Sequence, residues 1–255
     1  MQTMYAVLHG VACHLRLPSP ESQLLPGILW GSFDELLTPA YWKGQAWQHE
    51  RLGTYDDFRL GRSLAEELAA CLLGGHGMPA ELGLAAYRRL RDRGLLETIP
   101  TIAALEAALS EPFLMRRGAT RRYRFPRQKA RYLARCLQAI QEVDLPASDV
   151  VLRDLLLELP GIGPKTASWV VRNHRASNAV AIIDVHILRA GRHVGLFPVS
   201  WQPQRHYCEL EAAFLGFAAA LDVRASLLDA LIWDYMRRLP PVPVPHESAS
   251  SQAAA

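Results

Sequence analysis

From Ser63 to the prolines around residue 240, apolar positions recur at helical spacing and alternating runs are scarce. Leu64, Leu68, Cys71 and Leu72 make one apolar face, and Ser63 with Glu66 forms a capping box ahead of it. Gly74-Gly75-His76-Gly77 ends that helix, and Met78-Pro79 starts a second that runs to about Arg93, with Leu82, Leu84, Ala85, Tyr87 and Leu90 inside. The same reasoning predicts helices over 101–109, 126–143, 151–159, 185–194, 203–217 and 223–239. In the helix over 126–143 the apolar positions are Tyr132, Leu133, Cys136, Leu137 and Ile140. The expected fold class is therefore all-α.

Residues 1–60 resist this treatment. The stretch 4–11 fits a strand or a short helix equally, and Pro18, Pro20, Pro26 and Gly27 then break the chain. Thr38-Pro39 reads as a helix start, and Trp42 and Trp47 beside it are expected to pack in a core or a lid. Residues 240–255, rich in Pro, Ser and Ala, read as a disordered tail. Three segments follow: 1–60 of unclear structure, a helical body over 61–239, and the tail.

Composition narrows the class. A chain of 255 residues that is 50% apolar can bury a substantial core, and a net charge of +3 is by itself weak support for a nucleic-acid partner. The distribution of charge says more. Arg116, Arg117, Arg121, Arg122, Arg124, Arg127, Lys129, Arg131 and Arg135 follow one another with no acidic residue between them, which favours an anionic partner over a merely solvated face. Cys13, Cys71, Cys136 and Cys208 are too dispersed for a zinc or iron–sulfur site and read as reduced thiols. The apolar N-terminus lacks the basic leader of a signal peptide, and no apolar run reaches membrane-spanning length. A cytoplasmic protein with no membrane partner is expected.

The chemistry concentrates in Leu159-Pro160-Gly161-Ile162-Gly163-Pro164-Lys165. Gly161 and Gly163 permit a sharp turn and close approach to a ligand, Pro164 suits the first position of a helix, and Gly163 is then its cap. The free N–H groups at such a helix start form an anion site fit for a DNA phosphate. Lys165 in the first turn is a candidate amine nucleophile. A lysine must lose its proton to attack, its reference pKa is ~10.4, and a helix N-terminus with partial burial disfavours the ammonium. The plainer role for Lys165 is to pair with phosphate. Asp184, after Ala181-Ile182-Ile183, is a natural helix N-cap, and a cap would also hold its carboxylate rigidly towards Lys165 across a cleft. His186 and Arg189, on the next turn, are candidate contacts to the DNA backbone, with buried packing the alternative for His186.

The hairpin followed by Ile183-Asp184-Val185-His186 resembles the helix–hairpin–helix–GPD signature of DNA glycosylases, over roughly residues 61–239. The resemblance implies two helical lobes with the active site between them. A lysine at the hairpin helix marks the bifunctional glycosylase/AP lyases, so Lys165 would be the nucleophile and Asp184 its carboxylate partner. The resemblance further implies a monovalent cation (Na+ or K+) on the backbone carbonyls of Leu157, Leu159 and Ile162, with no other cofactor required. It places Trp169 in the base pocket and His76, in the glycine loop, as the wedge that fills the space left by a flipped base.

The hairpin is also similar to endonuclease III, but only Cys208 lies downstream of Asp184, which excludes that branch's iron–sulfur cluster. The stretches 123–132, 181–189 and 228–233, the last ending in Trp233, look like the compact 8-oxoguanine glycosylases of archaea and some bacteria. Where that type ends in a lysine-bearing tail, this chain has Arg237-Arg238-Leu239. The expectation is a monomeric, nucleoid-associated repair enzyme acting on double-stranded DNA that contains a damaged or modified base. Gly161, Gly163, His186, Arg189, Arg127, Lys129 and Arg131 would grip the DNA. 8-Oxoguanine is the expected base. The alternatives are an oxidised pyrimidine, another modified base, or a non-catalytic hairpin module that only binds DNA.

Overall fold

In chain order the elements of the computed structural model are β1 (Gln2–Leu8), β2 (Val11–Leu17), β3 (Gln23–Leu25), β4 (Ile28–Leu29), α1 (Pro39–Leu52), α2 (Leu64–Leu73), α3 (Ala80–Asp92) and α4 (Ile102–Ser110). Then come β5 (Phe113–Leu114), β6 (Thr120–Arg121), α5 (Pro126–Gln141), α6 (Asp149–Leu157), α7 (Pro164–Arg175), α8 (Val185–His193), α9 (Tyr207–Ala220) and α10 (Ala225–Met236). The structure describes residues 1–55, 58–75, 77–115, 118–142 and 144–240. The tail expected over 240–255 therefore lies, but for Pro240, outside the described residues.

The helices begin where side chains can satisfy their first N–H groups. Ser63 Oγ accepts from Glu66 N at 3.2 Å, Thr101 Oγ1 from Ala104 N at 3.2 Å, and Ser148 Oγ from Val151 N at 3.4 Å. The capping box at α2 is modified: Glu66 Oε2 accepts from the backbone N–H of Arg62 at 2.8 Å and from the Tyr87 hydroxyl at 2.9 Å. The start expected at 203 gives way to Tyr207, because residues 202–206 form a turn in which Gln202 O accepts from the N–H groups of Arg205 and His206.

The chain forms two compact units, Asp57–Val180 and a second made of Met1–Asp56 with the chain from Ala181 onward. The first packs α2–α7 around Leu68, Leu72, Tyr87, Leu90, Leu105, Leu133, Leu152, Leu156 and Val170. In the second, Leu37, Trp42 and Ala46 share a core with Ile187, Phe214, Phe217, Leu228 and Leu231. Residues 1–60 are thus not a separate appendage, and the helical body does not begin cleanly at 61. Trp42 is a core residue.

The undecided stretch 4–11 is a strand and its turn. β1 and β2 pair antiparallel from Gln2↔Leu17 to Leu8↔Val11. His9 (φ 51°) and Gly10 (φ 77°) make the two-residue connection, with both central residues in the left-handed region as the strand twist favours. Among the described residues, the two-stranded sheets β1–β2, β3–β4 and β5–β6 are small departures from a mostly helical fold.

Candidate active site

The loop joining α6 to α7 is the hairpin. Gly161 has φ +79°, where an L side chain is strained, and a Cβ there would run into the ring of Tyr132 on α5. Cys136, one turn further along α5, donates its thiol to Pro160 O at 3.5 Å. One face of α5 is therefore the seat of the hairpin. Gly163 caps α7 with extended backbone and Pro164 opens the helix, as expected. The Ala167 N–H closes the first turn on Gly163 O at 2.9 Å. Among the described residues, the N–H groups of Gly161, Gly163, Lys165 and Thr166 find no acceptor. Such a row at a helix start suits an anionic oxygen.

Lys165 is half-buried, and among the described residues its ammonium makes no hydrogen bond or ion pair. It lies 5.8 Å from the centre of the Trp169 ring, one turn along α7. The far edge of that ring meets α2, where a Cβ on Gly74 would stand 3.3 Å from Trp169 Cη2. Burial pushes the Cys71 thiol on α2 well above its usual range, opposed in part by the positive charges of Arg172 and Lys165. The lysine amine, the Trp169 ring and the end of α2 thus form one corner within a single unit.

The same two helices, α2 and α7, share a buried polar knot that the apolar pattern did not predict. Glu67 Oε2 accepts from Leu60 N at 2.8 Å and Gly61 N at 2.9 Å, while Oε1 accepts from Asn173 Nδ2 at 2.7 Å. It ties α2 to α7. The sequence offered one weak signal for it, a carboxylate set among the apolar positions of α2.

The basic segment divides. Arg121, Arg122, Arg124, Arg127, Arg131 and Arg135 are exposed, and Arg127, Arg131 and Arg135 stand at successive turns of α5. Arg116 and Arg117 lie outside the described residues, as does His76. Lys129 behaves differently. Its Nζ turns inward and donates to Leu72 O at 2.8 Å, and burial holds its pKa below the usual lysine value. Lys129, expected to grip the DNA, thus has an ammonium that already donates to a protein carbonyl.

Asp184, His186, Arg189 and Trp233 belong to the other unit. Asp184 caps α8 as expected, Oδ1 accepting from His186 N at 2.8 Å and Ile187 N at 3.0 Å, and Oδ2 takes no part in the cap. The His186 ring meets Trp233 edge-on, 6.4 Å between centres, and its Nδ1 is buried without a partner among the described residues. The half-buried ring thus packs on Trp233. Arg189 donates to Pro240 O at 3.2 Å. Trp233 is partly exposed, with the Arg237 guanidinium 4.6 Å above its ring.

Among the described residues, no group of three or more His, Cys, Asp or Glu side chains could hold a metal ion, and no helix is long and apolar enough to cross a membrane. Cys13, Cys71, Cys136 and Cys208 are free thiols.

The family model described as 8-oxoguanine DNA glycosylase matches residues 49–223. The 8-oxoguanine DNA glycosylase/AP lyase of Metallosphaera sedula is 30% identical over 188 residues, which are 70% of this chain and 86% of that protein. The structure of the 8-oxoguanine DNA glycosylase of Thermotoga maritima aligns with TM-score 0.60 at 22% identity, covering 83% of this chain and 100% of that one. The Methanocaldococcus jannaschii 8-oxoguanine glycosylase/lyase, solved in complex with 15mer DNA containing 8-oxoguanine, aligns with TM-score 0.52 at 27% identity, covering 71% of this chain and 83% of that one.

Proposed function

Since the chain belongs to the 8-oxoguanine DNA glycosylase family, we propose that it releases 8-oxoguanine from duplex DNA and then cuts the strand at the vacated sugar. The observation that carries this reading is the half-buried Lys165 amine, without a hydrogen bond or ion pair among the described residues, beside an aromatic ring and an open helix N-terminus. The hairpin N–H groups and the outward arginines of α5 take phosphate oxygens. The damaged nucleotide leaves the stack, and Trp169, beside Lys165, offers a ring against which a purine can lie.

Lys165, as the neutral amine, bonds to sugar C1′ while the glycosidic bond breaks and its electron pair leaves with the base, which gains a proton. The Asp184 carboxylate stabilises positive charge developing on the sugar. Opening of the sugar ring, with loss of the amine proton, gives a Schiff base, a covalent route of the usual amine kind. Loss of a C2′ proton then expels the 3′ phosphate by β-elimination. The site of action is the nucleoid, in the cytoplasm.

A monovalent cation fits the hairpin. Leu159 O accepts from Ile162 N at 3.2 Å, whereas the carbonyls of Leu157 and Ile162 accept none of the turn's backbone hydrogen bonds among the described residues. The carbonyls of Leu157, Leu159 and Ile162 would hold the ion, which would add positive charge where a phosphate docks.

Borohydride reduction during reaction with an 8-oxoguanine duplex tests the chemistry. A covalent adduct that disappears in Lys165→Ala is expected, and wild-type enzyme that releases base without ever being trapped would overturn the lyase assignment. The Arg237-Arg238-Leu239 segment, with Arg237 already stacked on Trp233, favours one second reading, a different damaged base. Base release scored across duplexes carrying oxidised purines and pyrimidines separates the two.

A further inference from the structure

The turn after α2 is held at its start by two side chains from the basic segment. Lys129 Nζ donates to Leu72 O and the Tyr123 hydroxyl to Leu73 O, both at 2.8 Å. These are carbonyls of the last helical turn, where a cation is favoured by the helix dipole. A Cβ on Gly75 would stand 3.4 Å from Lys129 Nζ. On the other side Gly83 of α3 lies so close that a Cβ on it would come within 2.7 Å of Gly74 Cα. The turn is therefore pinned between α3 and α5, and Gly74 is the surface against which the Trp169 ring rests. Lys165 lies over that same ring.

We propose that Lys129 is a positioning residue: by binding the Leu72 carbonyl it holds the glycine turn against Trp169, and so sets the floor of the pocket beside Lys165. It does not act as a phosphate contact, although it stands in a run of exposed arginines that are free to do so. The proposal rests on the glycosylase reading for its effect on base release, and on geometry alone for the grip on the turn.

The test compares wild type, Lys129→Met and Lys129→Arg in the full chain. Lys129→Met should leave the salt dependence of binding to an undamaged duplex unchanged, since no phosphate contact is lost. It should lower single-turnover release of 8-oxoguanine by about tenfold or more, because small misplacements of a pocket are costly. It should also shift tryptophan emission, a shift that vanishes in a Trp169→Phe background. Lys129→Arg, which keeps a donor for Leu72 O, should recover most of the base release. A salt slope reduced by about one, with base release from the bound duplex unchanged, would overturn the proposal. So would a folded Lys129→Met whose Trp169 emission matches wild type. If wild type releases no 8-oxoguanine, the glycosylase reading fails, and the emission shift alone decides whether Lys129 grips the turn.

Discussion

Glu67 has no exposed surface, yet its carboxylate takes hydrogen bonds from two backbone N–H groups and from Asn173. Removing it strands those donors in the interior, so Glu67→Ala should lose about 2–3 kcal/mol in denaturant unfolding. Gly161 is the second residue whose identity is forced. Its left-handed backbone would cost an alanine roughly 1–2 kcal/mol, and the Tyr132 ring blocks the new Cβ besides. Gly161→Ala should weaken both stability and duplex binding. Adding Tyr132→Ala should relieve only the steric part, visible as non-additivity in a double-mutant cycle. The glycine was legible in the motif. The tyrosine beneath it was not, because nothing in the spacing says which face of α5 meets the turn.

At the scale of elements, α5 shows how one helix divides its duties. Tyr132 and Cys136 support the hairpin, Lys129 reaches the end of α2, and Arg127, Arg131 and Arg135 face outward. Arg127→Ala and Arg131→Ala should each lower the slope of log affinity against log salt by about one, measured on an undamaged duplex. An unchanged slope in both would remove α5 from the DNA interface. The helix itself, its proline start and its apolar positions were readable beforehand, since each depends on neighbours within a turn or two. The inward course of Lys129 was not readable. It depends on a carbonyl contributed by α2, far away in the chain.

At the scale of the molecule, the first 56 residues join a unit completed only after Ala181. Trp42, buried in that unit, packs edge-on to Tyr235 with 6.1 Å between ring centres. Trp42→Ala should therefore cost about 3–5 kcal/mol, read as a lower denaturant midpoint for the unit that holds α8–α10. An effect below about 1 kcal/mol would mean that this core does not depend on the N-terminal segment.

Sequence alone determined most of the helices, the hairpin, the cap at Asp184 and the placing of Lys165 in the first turn of α7. These follow from periodicity, capping and glycine conformation, which are settled among residues close in the chain. Only the tertiary structure decided that Lys129 serves the protein while neighbouring arginines face outward, that His186 packs on Trp233, and that residues 1–56 complete the second core. Those outcomes depend on which carbonyls, rings and apolar faces arrive from distant segments. Burial and the pairing of charges are properties of that assembly.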